Sequence, residues 1–499
     1  MIPKHARISS LERFGRWIGQ LYPAGFVAGY VLLSFSATPT PLQGLWRPLI
    51  VAVAATIALQ IVVLALIRRP HWAAIITSIL VMIMAAAWLV LAVLGVIAGW
   101  WVAVNALRRR RAQAPMRLAG GRASDTLRVF AVAFAIVAAV PVMGAAPGLA
   151  PQPLEPVSGV TAPPDAPDIV VLMLDGYPRA DALEEQLAYD NTDFLRSLED
   201  RAFDVAEDSR SNYTATWATI ASTMHMRYVH EIDAVTPFPS DPAEQYRQLL
   251  RAINQGPAIA ELRGRGYEIV AIPSPFESSA LVTADRYRDD GHLTSFELSL
   301  VQHSVIGKAV LDVMPRWFFD EHRRRIDDGF EAIAEEIERP GPRPRLVFAH
   351  LMTPHAPTVF AADGSPSTPM DCFPTCSPWA FTELRQWAEV PAQVTYVNAR
   401  VLATLDRTIA AAPDAVVVVM SDHGSRVTGH SEANLFRTIF AARTPGHAGS
   451  IADASPVNLF PQVFNAYFGT ELARRPYRAW ISESEAPLTM HAATLADEQ

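Results

Sequence analysis

Long apolar stretches crowd the first third of the chain, and short β-branched runs separated by amphipathic segments fill the rest. Four stretches before residue 146 carry no interrupting charge: Ile18 to Ser36, Leu49 to Ile67, Trp72 to Leu107 and Val129 to Met143. A helix rising about 1.5 Å per residue needs about 20 apolar residues to cross hydrocarbon, so the first, second and last each suit one crossing, the last with its polar flank from Thr126. Trp72 to Leu107 is roughly twice that length. A single crossing there would put Arg68-Arg69 and Arg108 to Arg111 on opposite faces, whereas two crossings joined by a tight turn put both clusters on one face, as basic cytoplasmic loops require. The expectation is five spans, with Lys4, Arg7, Arg13 and Arg16 inside and everything beyond Met143 outside. A cleaved signal peptide fits less well, because Ile18 to Ser36 is long and Pro39-Thr-Pro41 stands where small cleavage residues are needed. Cleavage would leave the final side unchanged.

Between Ala146 and Pro167 come seven prolines and almost no charge, which makes a stiff extended tether. From Asp168 onward strand runs alternate with helical patterns, the mark of a mainly parallel sheet with helices on both faces. Strands are expected at Ile169 to Leu174, Glu268 to Ile272, Leu346 to Ala349, Ala415 to Met420 and Thr438 to Ala442. Helices are expected at Ala243 to Ile253 and along Val394, Val397, Val401, Leu402, Leu405 and Ile409, which share one face at 3.6-residue spacing. No internal repeat is visible. The fold class is therefore α/β behind a multi-span helical membrane domain: residues 1–146 membrane, 147–167 linker, 168–499 an extracytoplasmic domain.

Charge sharpens this division. Of the chain's 42 Lys/Arg and 50 Asp/Glu, 14 and two fall in residues 1–130, leaving 28 basic and 48 acidic residues beyond. The acidic part has no basic field for a polyanion, so nucleic acid is excluded as a partner, and the basic residues of the first part report topology. The two cysteines, Cys372 and Cys376, lie close together in a loop-like segment. Outside the cytoplasm they suit a small disulfide-closed loop, and inside it two free thiols; without a second Cys/His pair they fall short of a tetrahedral zinc set.

The chemistry-bearing residues follow strand runs, where open α/β sheets place their ligands. Asp175 ends Ile169-Val-Val-Leu-Met-Leu174, and Asp422-His423-Gly424 follows Ala415-Val-Val-Val-Val-Met420 after Ser421. Carboxylates brought together this way are costly unless a divalent ion neutralises them. Read alone, Asp175-Gly176 is either a ligand or a strand-to-turn Asp, and Asp422 either a ligand or a turn cap. His350, among apolar residues at a strand end, reads more readily as structural. His355, between Pro354 and Pro357 in a loop after a strand, reads as functional. His430 is open to either reading. The segment Ser209 to Met224 begins rich in hydroxyls and turns helical, which sets Thr216 near a helix N-terminus, where free N–H groups favour an anionic substrate and a nearby cation activates the hydroxyl. The alternative is that Thr214 or Thr216 is simply the N-cap.

In order, the segments Pro167-Asp-Ile-Val-Val-Leu-Met-Leu-Asp-Gly-Tyr177, Ser211-Asn-Tyr-Thr-Ala-Thr-Trp-Ala-Thr-Ile-Ala-Ser222, His350-Leu-Met-Thr-Pro-His-Ala-Pro357 and Ser421-Asp-His-Gly424 resemble the alkaline phosphatase superfamily. Within it they are similar to the membrane-bound sulfatase-like branch of lipoteichoic acid synthases and phosphoethanolamine transferases. The resemblance spans about residues 165 to 445 and implies a sulfatase-like α/β/α sandwich. It implies one divalent ion (Mn, Mg, Zn or Ca) on Asp175, Asp422 and His423, with Thr216 as the metal-bound nucleophile. His355 resembles the histidine that meets the transferred group or leaving oxygen, His430 a second such histidine, and Asn212 and Arg426 are neighbours in the substrate region. Two departures stand out: formylglycine sulfatases carry Cys-x-Pro-x-Arg at the nucleophile and a second Asp beside the first, where this chain has Thr216 and Gly176. The transferases commonly have Glu where Asp175 stands.

What the resemblance implies is a cell-envelope enzyme of the plasma (inner) membrane, with a periplasmic or extracellular site. It would move a phosphoryl-linked headgroup such as phosphoglycerol or phosphoethanolamine through a covalent threonine intermediate, with a lipid headgroup or envelope glycan as substrate and membrane lipid as surroundings. The alternatives are sulfate-ester or phosphodiester hydrolysis by the same site, or an inert tethered sensor, against which the intact set Asp175, Thr216, Asp422 and His423 speaks. A transporter is disfavoured because the spans hold no ionisable residue of the kind that marks a substrate path.

Overall fold

A computed structural model describes residues 20–85, 120–149, 166–233, 235–367, 383–424, 431–451, 453–483 and 485–494. Two compact units emerge: residues 1–148 with 296–313, and residues 149–295 with 314–499.

The first unit holds helices α1 (Tyr22–Ser36), α2 (Trp46–Ile67), α3 (Pro70–Ala85) and α4 (Gly120–Leu149), in the apolar stretches read from sequence. Pro23 falls in the first turn of α1, where its missing N–H costs no intrahelical bond. Tyr22, Phe26, Ala74, Ile75, Met82, Leu127 and Ala131 form an apolar cluster between α1, α3 and α4. Gly29 is needed at one crossing, because a Cβ there would sit 2.4 Å from the Phe134 ring. Outward-facing positions remain apolar: Ile50, Val51, Ile61, Val62 and Leu66 on α2, and Val129, Val132, Ile136, Val137 and Val140 on α4 are all exposed. Among the described residues two helical stretches are long and apolar enough to cross a membrane, Leu42–Ile67 and Asp125–Val142, while Tyr22–Ser36 and Pro70–Met84 are shorter apolar helices. The part of Trp72 to Leu107 beyond Ala85 lies outside the described residues, as do most of the proline-rich linker and Cys372 and Cys376. Two further helices, α10 (Ser295–His303) and α11 (Val305–Val313), group with this unit from residue 296.

The second unit is a mixed, mostly parallel sheet of seven strands in the order β2-β7-β6-β1-β5-β3-β4. Its strands are β1 (Ile169–Asp175), β2 (Asp204–Val205), β3 (Glu268–Ile272), β4 (Arg286–Tyr287), β5 (Arg345–Pro354), β6 (Val416–Ser421) and β7 (Phe440–Arg443). β1 pairs in parallel with β5 and β6, and β3 in parallel with β5 and β4, while β7 runs antiparallel to β6 and β2. The central strands are apolar throughout because both faces are covered, which is why they read as continuous β-branched runs. Ile169, Val171 and Met173 face α7 (Thr216–His225), α8 (Pro242–Asn254), α9 (Pro257–Gly264) and α14 (Leu459–Phe468). Val170, Leu172 and Leu174 face α5 (Ala180–Leu187), α6 (Thr192–Glu199), α12 (Pro315–Glu338) and α13 (Glu383–Ala411). A small hairpin of β8 (Trp480–Ser482) and β9 (Met490–Ala492) stands apart from this sheet.

Candidate active site

Three neighbouring parallel strands, β5, β1 and β6, end on the same edge of the sheet, and side chains just beyond their C-terminal ends converge. β1 and β5 pair in step from Ile169↔Leu346 to Leu174↔Leu351, and then the register jumps so that Asp175 faces Pro354. That bulge re-aims the strand end. The N–H of His355 donates to the Asp175 carbonyl at 3.0 Å, which ties the loop carrying His355 to the end of β1.

Asp175 (1% exposed), Asp422 (0%), His350 (2%) and His423 (1%) are buried together, whereas His355 is half-buried. His423 Nε2 lies 3.3 Å from Asp175 Oδ1 and 3.6 Å from Asp422 Oδ2, and His350 Nε2 lies 3.4 Å from Asp175 Oδ2. The His355 and His423 rings sit edge to face, 6.1 Å between centroids. Gly176 is required beside them: its φ is +68°, and a Cβ would come within 3.2 Å of His423 Cε1.

Hydrogen bonds fix how each group presents itself. His423 Nδ1 donates to the Gly424 carbonyl at 2.8 Å and His355 Nδ1 to the Ala356 carbonyl at 2.6 Å. A carbonyl only accepts, so each Nδ1 carries a proton and Nε2 is left for another partner, the orientation that backbone carbonyls give to metal-ligating histidines. Asp422 Oδ1 accepts from the Gly176 and His423 N–H groups, both at 2.9 Å, which leaves Oδ2 for another partner. Asp175 Oδ1, Asp422 Oδ2, His423 Nε2 and both His350 ring nitrogens are buried with no hydrogen bond among the described residues. Burying polar atoms without partners costs about 1–3 kcal/mol each, so a cluster of them asks for a ligand. The donor atoms of Asp175, His355 and His423, and those of Asp175, His350 and Asp422, each lie within 4.8 Å of one another, which makes two overlapping candidate metal groups.

Electrostatics agree with this geometry. Burial alone would raise the Asp175 carboxyl, but His355, His350 and His423 outweigh it and hold the group well below the usual carboxylate range. Burial pushes the His350 imidazole down, yet contact with Asp175, its charge and that of Asp422 raise it above its ordinary value.

Thr216 is the first residue of α7 and is 5% exposed. The N-cap is Ala215, with no side-chain cap, and Thr214 instead accepts from the N–H of Ser482 through its hydroxyl, so neither threonine serves as N-cap. One turn along α7, the Thr219 hydroxyl donates to the Asp422 carbonyl at 2.8 Å, which docks the start of this helix beside the carboxylates. Asn212 is fully buried: its Nδ2 donates to the Arg478 carbonyl and its Oδ1 accepts from Val457 N–H, so its amide is engaged by the backbone. Arg426 and His430 lie outside the described residues. His350, which reads from sequence as structural, lies among the candidate ligands, and the available signal was an imidazole inside a strand that must be buried on both faces.

No family model matches this chain, and no curated protein matches it. Similar solved structures include the C-terminal periplasmic domain of EcEptC from Escherichia coli, at 13% identity over 70% of this chain and 99% of that one, with a TM-score of 0.42. The lipooligosaccharide phosphoethanolamine transferase A (EptA) from Neisseria meningitidis, an integral membrane protein, is 12% identical over 73% of each chain, with a TM-score of 0.39. A putative sulfatase from Bacteroides thetaiotaomicron is 12% identical over 64% of this chain and 78% of that one, with a TM-score of 0.36. The similar structures are thus phosphoethanolamine transferases and sulfatases. At such identities and scores, what this site does is argued from its own residues.

Proposed function

We propose that this chain is a membrane-anchored, metal-dependent phosphotransferase or phosphohydrolase of the alkaline phosphatase type. Its substrate is a phosphoryl-linked lipid headgroup or envelope glycan on the outer side of the membrane. The observation that carries the reading is the convergence of unpartnered atoms of Asp175, Asp422, His423 and His350 beside the first turn of α7, where Thr216 stands. Asp175 and Asp422 bring two buried carboxylates to one place, and a divalent cation that displaces the proton held on His350 offsets their charge. Imidazole nitrogens among the donors favour zinc over magnesium or calcium.

When bound, the cation supplies positive charge that lowers the pKa of the Thr216 hydroxyl and offsets charge on the phosphoryl oxygens. Thr216 Oγ1 gives its proton to solvent water and attacks phosphorus; the Thr216 O–P bond forms as the bond to the leaving oxygen breaks. His355, in its doubly protonated form, gives the Nε2 proton to the leaving oxygen while Nδ1 stays on the Ala356 carbonyl. Water or an acceptor hydroxyl then attacks phosphorus, its proton passes to His355, and the Thr216 O–P bond breaks. Free N–H groups at the start of α7 favour the anionic group. His430 and Arg426 follow His423 closely enough to meet the substrate, and Asn212 holds the nucleophile's loop. The charge pattern supports five spans with an outer catalytic domain, and in that compartment Cys372 and Cys376 form a disulfide.

The absence of a cysteine from the Ser209 to Met224 segment favours phosphorus over sulfur chemistry. The test offers purified protein phosphodiester and sulfate-ester substrates side by side with Zn²⁺, Mn²⁺ or Mg²⁺. Metal-dependent phosphodiester cleavage is expected; sulfate-ester cleavage alone would overturn the reading.

A further inference from the structure

The helix pair interrupting the second unit after β4 belongs to the apolar unit, a grouping that nothing in the proposed reaction uses. Phe296 on α10 packs edge to face on Phe35 of α1, with centroids 5.5 Å apart, and shares a cluster with Val31, Leu45 and Val142. Glu297 forms an ion pair with Arg47 at the start of α2. Ser304 then turns the chain sharply: its hydroxyl donates to the Val301 carbonyl and accepts from Gly307 N–H, capping α11. α11 itself packs on α3.

Its nine residues, Val-Ile-Gly-Lys-Ala-Val-Leu-Asp-Val, divide into three faces. At about 100° per residue, Val305, Ala309, Val313, Ile306 and Val310 fill one arc of about 140°, Gly307 and Leu311 a second, and Lys308 and Asp312 a third. Gly307 and Leu311 are buried, while Val305, Ile306, Val310 and Val313 are 47%, 46%, 38% and 80% exposed. An apolar arc this wide on an otherwise polar-edged helix needs cover. At nine residues α11 is about 14 Å long, too short to cross hydrocarbon, which takes about 20 residues. A short amphipathic helix packed against apolar spans is suited to lie along the membrane plane.

We infer that α11 is an interfacial helix of the outer leaflet, with Val305, Ile306, Val310 and Val313 sunk among lipid acyl chains and Lys308 and Asp312 toward water. Lipid is the occupant because the arc lies on the unit whose α2 and α4 expose the same kind of surface, and because Arg47–Glu297 supplies a charged pair of the kind found at headgroup depth. This gives the chain a second membrane attachment, independent of the proline-rich tether. The inference rests on the reading that the first unit is embedded in a membrane.

The test uses the full-length chain with Cys372→Ser and Cys376→Ser, carrying one new cysteine at a time: Val310→Cys, Ile306→Cys, Lys308→Cys or Val62→Cys. Each is labelled with a bimane fluorophore and reconstituted into nanodiscs of phosphatidylethanolamine and phosphatidylglycerol, with and without brominated acyl chains. Brominated lipid should quench the labels at positions 62, 306 and 310 and spare the one at 308. Quenching at 62 with 306 and 310 behaving like 308 overturns the interfacial helix while leaving the membrane unit intact. No quenching at 62, 306 or 310 overturns both.

Discussion

Replacing His350 by Gln keeps a side chain of similar reach and removes, among the described residues, the one imidazole whose two nitrogens are both buried without hydrogen bonds. His350 Nε2 stands 3.4 Å from Asp175 Oδ2. At an effective dielectric of about 20, an imidazolium at that distance from a carboxylate gains on the order of 4–5 kcal/mol, enough to outweigh burial and raise the imidazole pKa. Once the protein is stripped of metal by chelation, His350 therefore keeps a proton above its ordinary value. The sign follows: the stabilisation is fully present below about pH 6.5 and is lost as pH rises through the higher folded value. A cation binding the same carboxylates must displace that proton. Apparent metal affinity should then climb up to tenfold per pH unit below the folded pKa and level off above it. In His350→Gln, affinity at high pH should fall about 10–100-fold, or about 1.4–2.7 kcal/mol, and the steep part of the pH profile should flatten. Titration calorimetry with Zn²⁺ in two buffers of different ionisation enthalpy counts the released protons, and the variant should release one fewer at acidic pH. Unchanged affinity together with unchanged proton release would refute the argument that His350 belongs to the site.

Three other outcomes follow from the same geometry. Gly176→Ala places a Cβ at φ +68° and 3.2 Å from His423 Cε1, so it should cost about 1–2 kcal/mol in urea denaturation and lower metal affinity, read by the same calorimetry. Thr219→Val removes the donor to the buried Asp422 carbonyl and should cost about 1–3 kcal/mol, with kcat falling more than KM rises, because the nucleophile's helix loses its tie to the carboxylates. Away from the site, Glu336 is 1% exposed and holds Arg286, Arg288 and Arg339; burial alone would raise its carboxyl, but the Arg286 and Arg288 guanidiniums lower it. Glu336→Gln should cost about 3 kcal/mol near neutral pH, the low end for a buried ion pair because the arginines reach solvent. A depressed folded pKa means that this contribution is present above about pH 4.3 and lost as pH falls, so urea midpoints of variant and parent should converge under acid.

The central strands were legible because burial on both faces leaves them apolar along their whole length. Glu268–Ile272 begins and ends where the pattern puts it, and Ile169 to Leu174 extends by one residue to Asp175. The two-residue edge strands Asp204–Val205 and Arg286–Tyr287 left no periodic signal. Asp175, Asp422, His423 and His355 could be placed near one another because strand-end position is local information. The bulge at Leu174/Asp175 and the approach of His350 to Asp175 depend on register between strands far apart in sequence. The pairing of Glu297 with Arg47, 250 residues away, is equally invisible to periodicity.

The central claim is a covalent phosphoryl step on Thr216. Purified full-length protein loaded with Zn²⁺ or Mn²⁺ would be incubated briefly with a phosphodiester substrate, quenched in acid and digested for mass spectrometry. The account predicts an adduct of the transferred phosphoryl group on the peptide containing Thr216, which disappears in Thr216→Ala and Asp422→Asn together with turnover. Phosphodiester turnover that continues unchanged in Thr216→Ala, with no adduct in the parent protein, would contradict it.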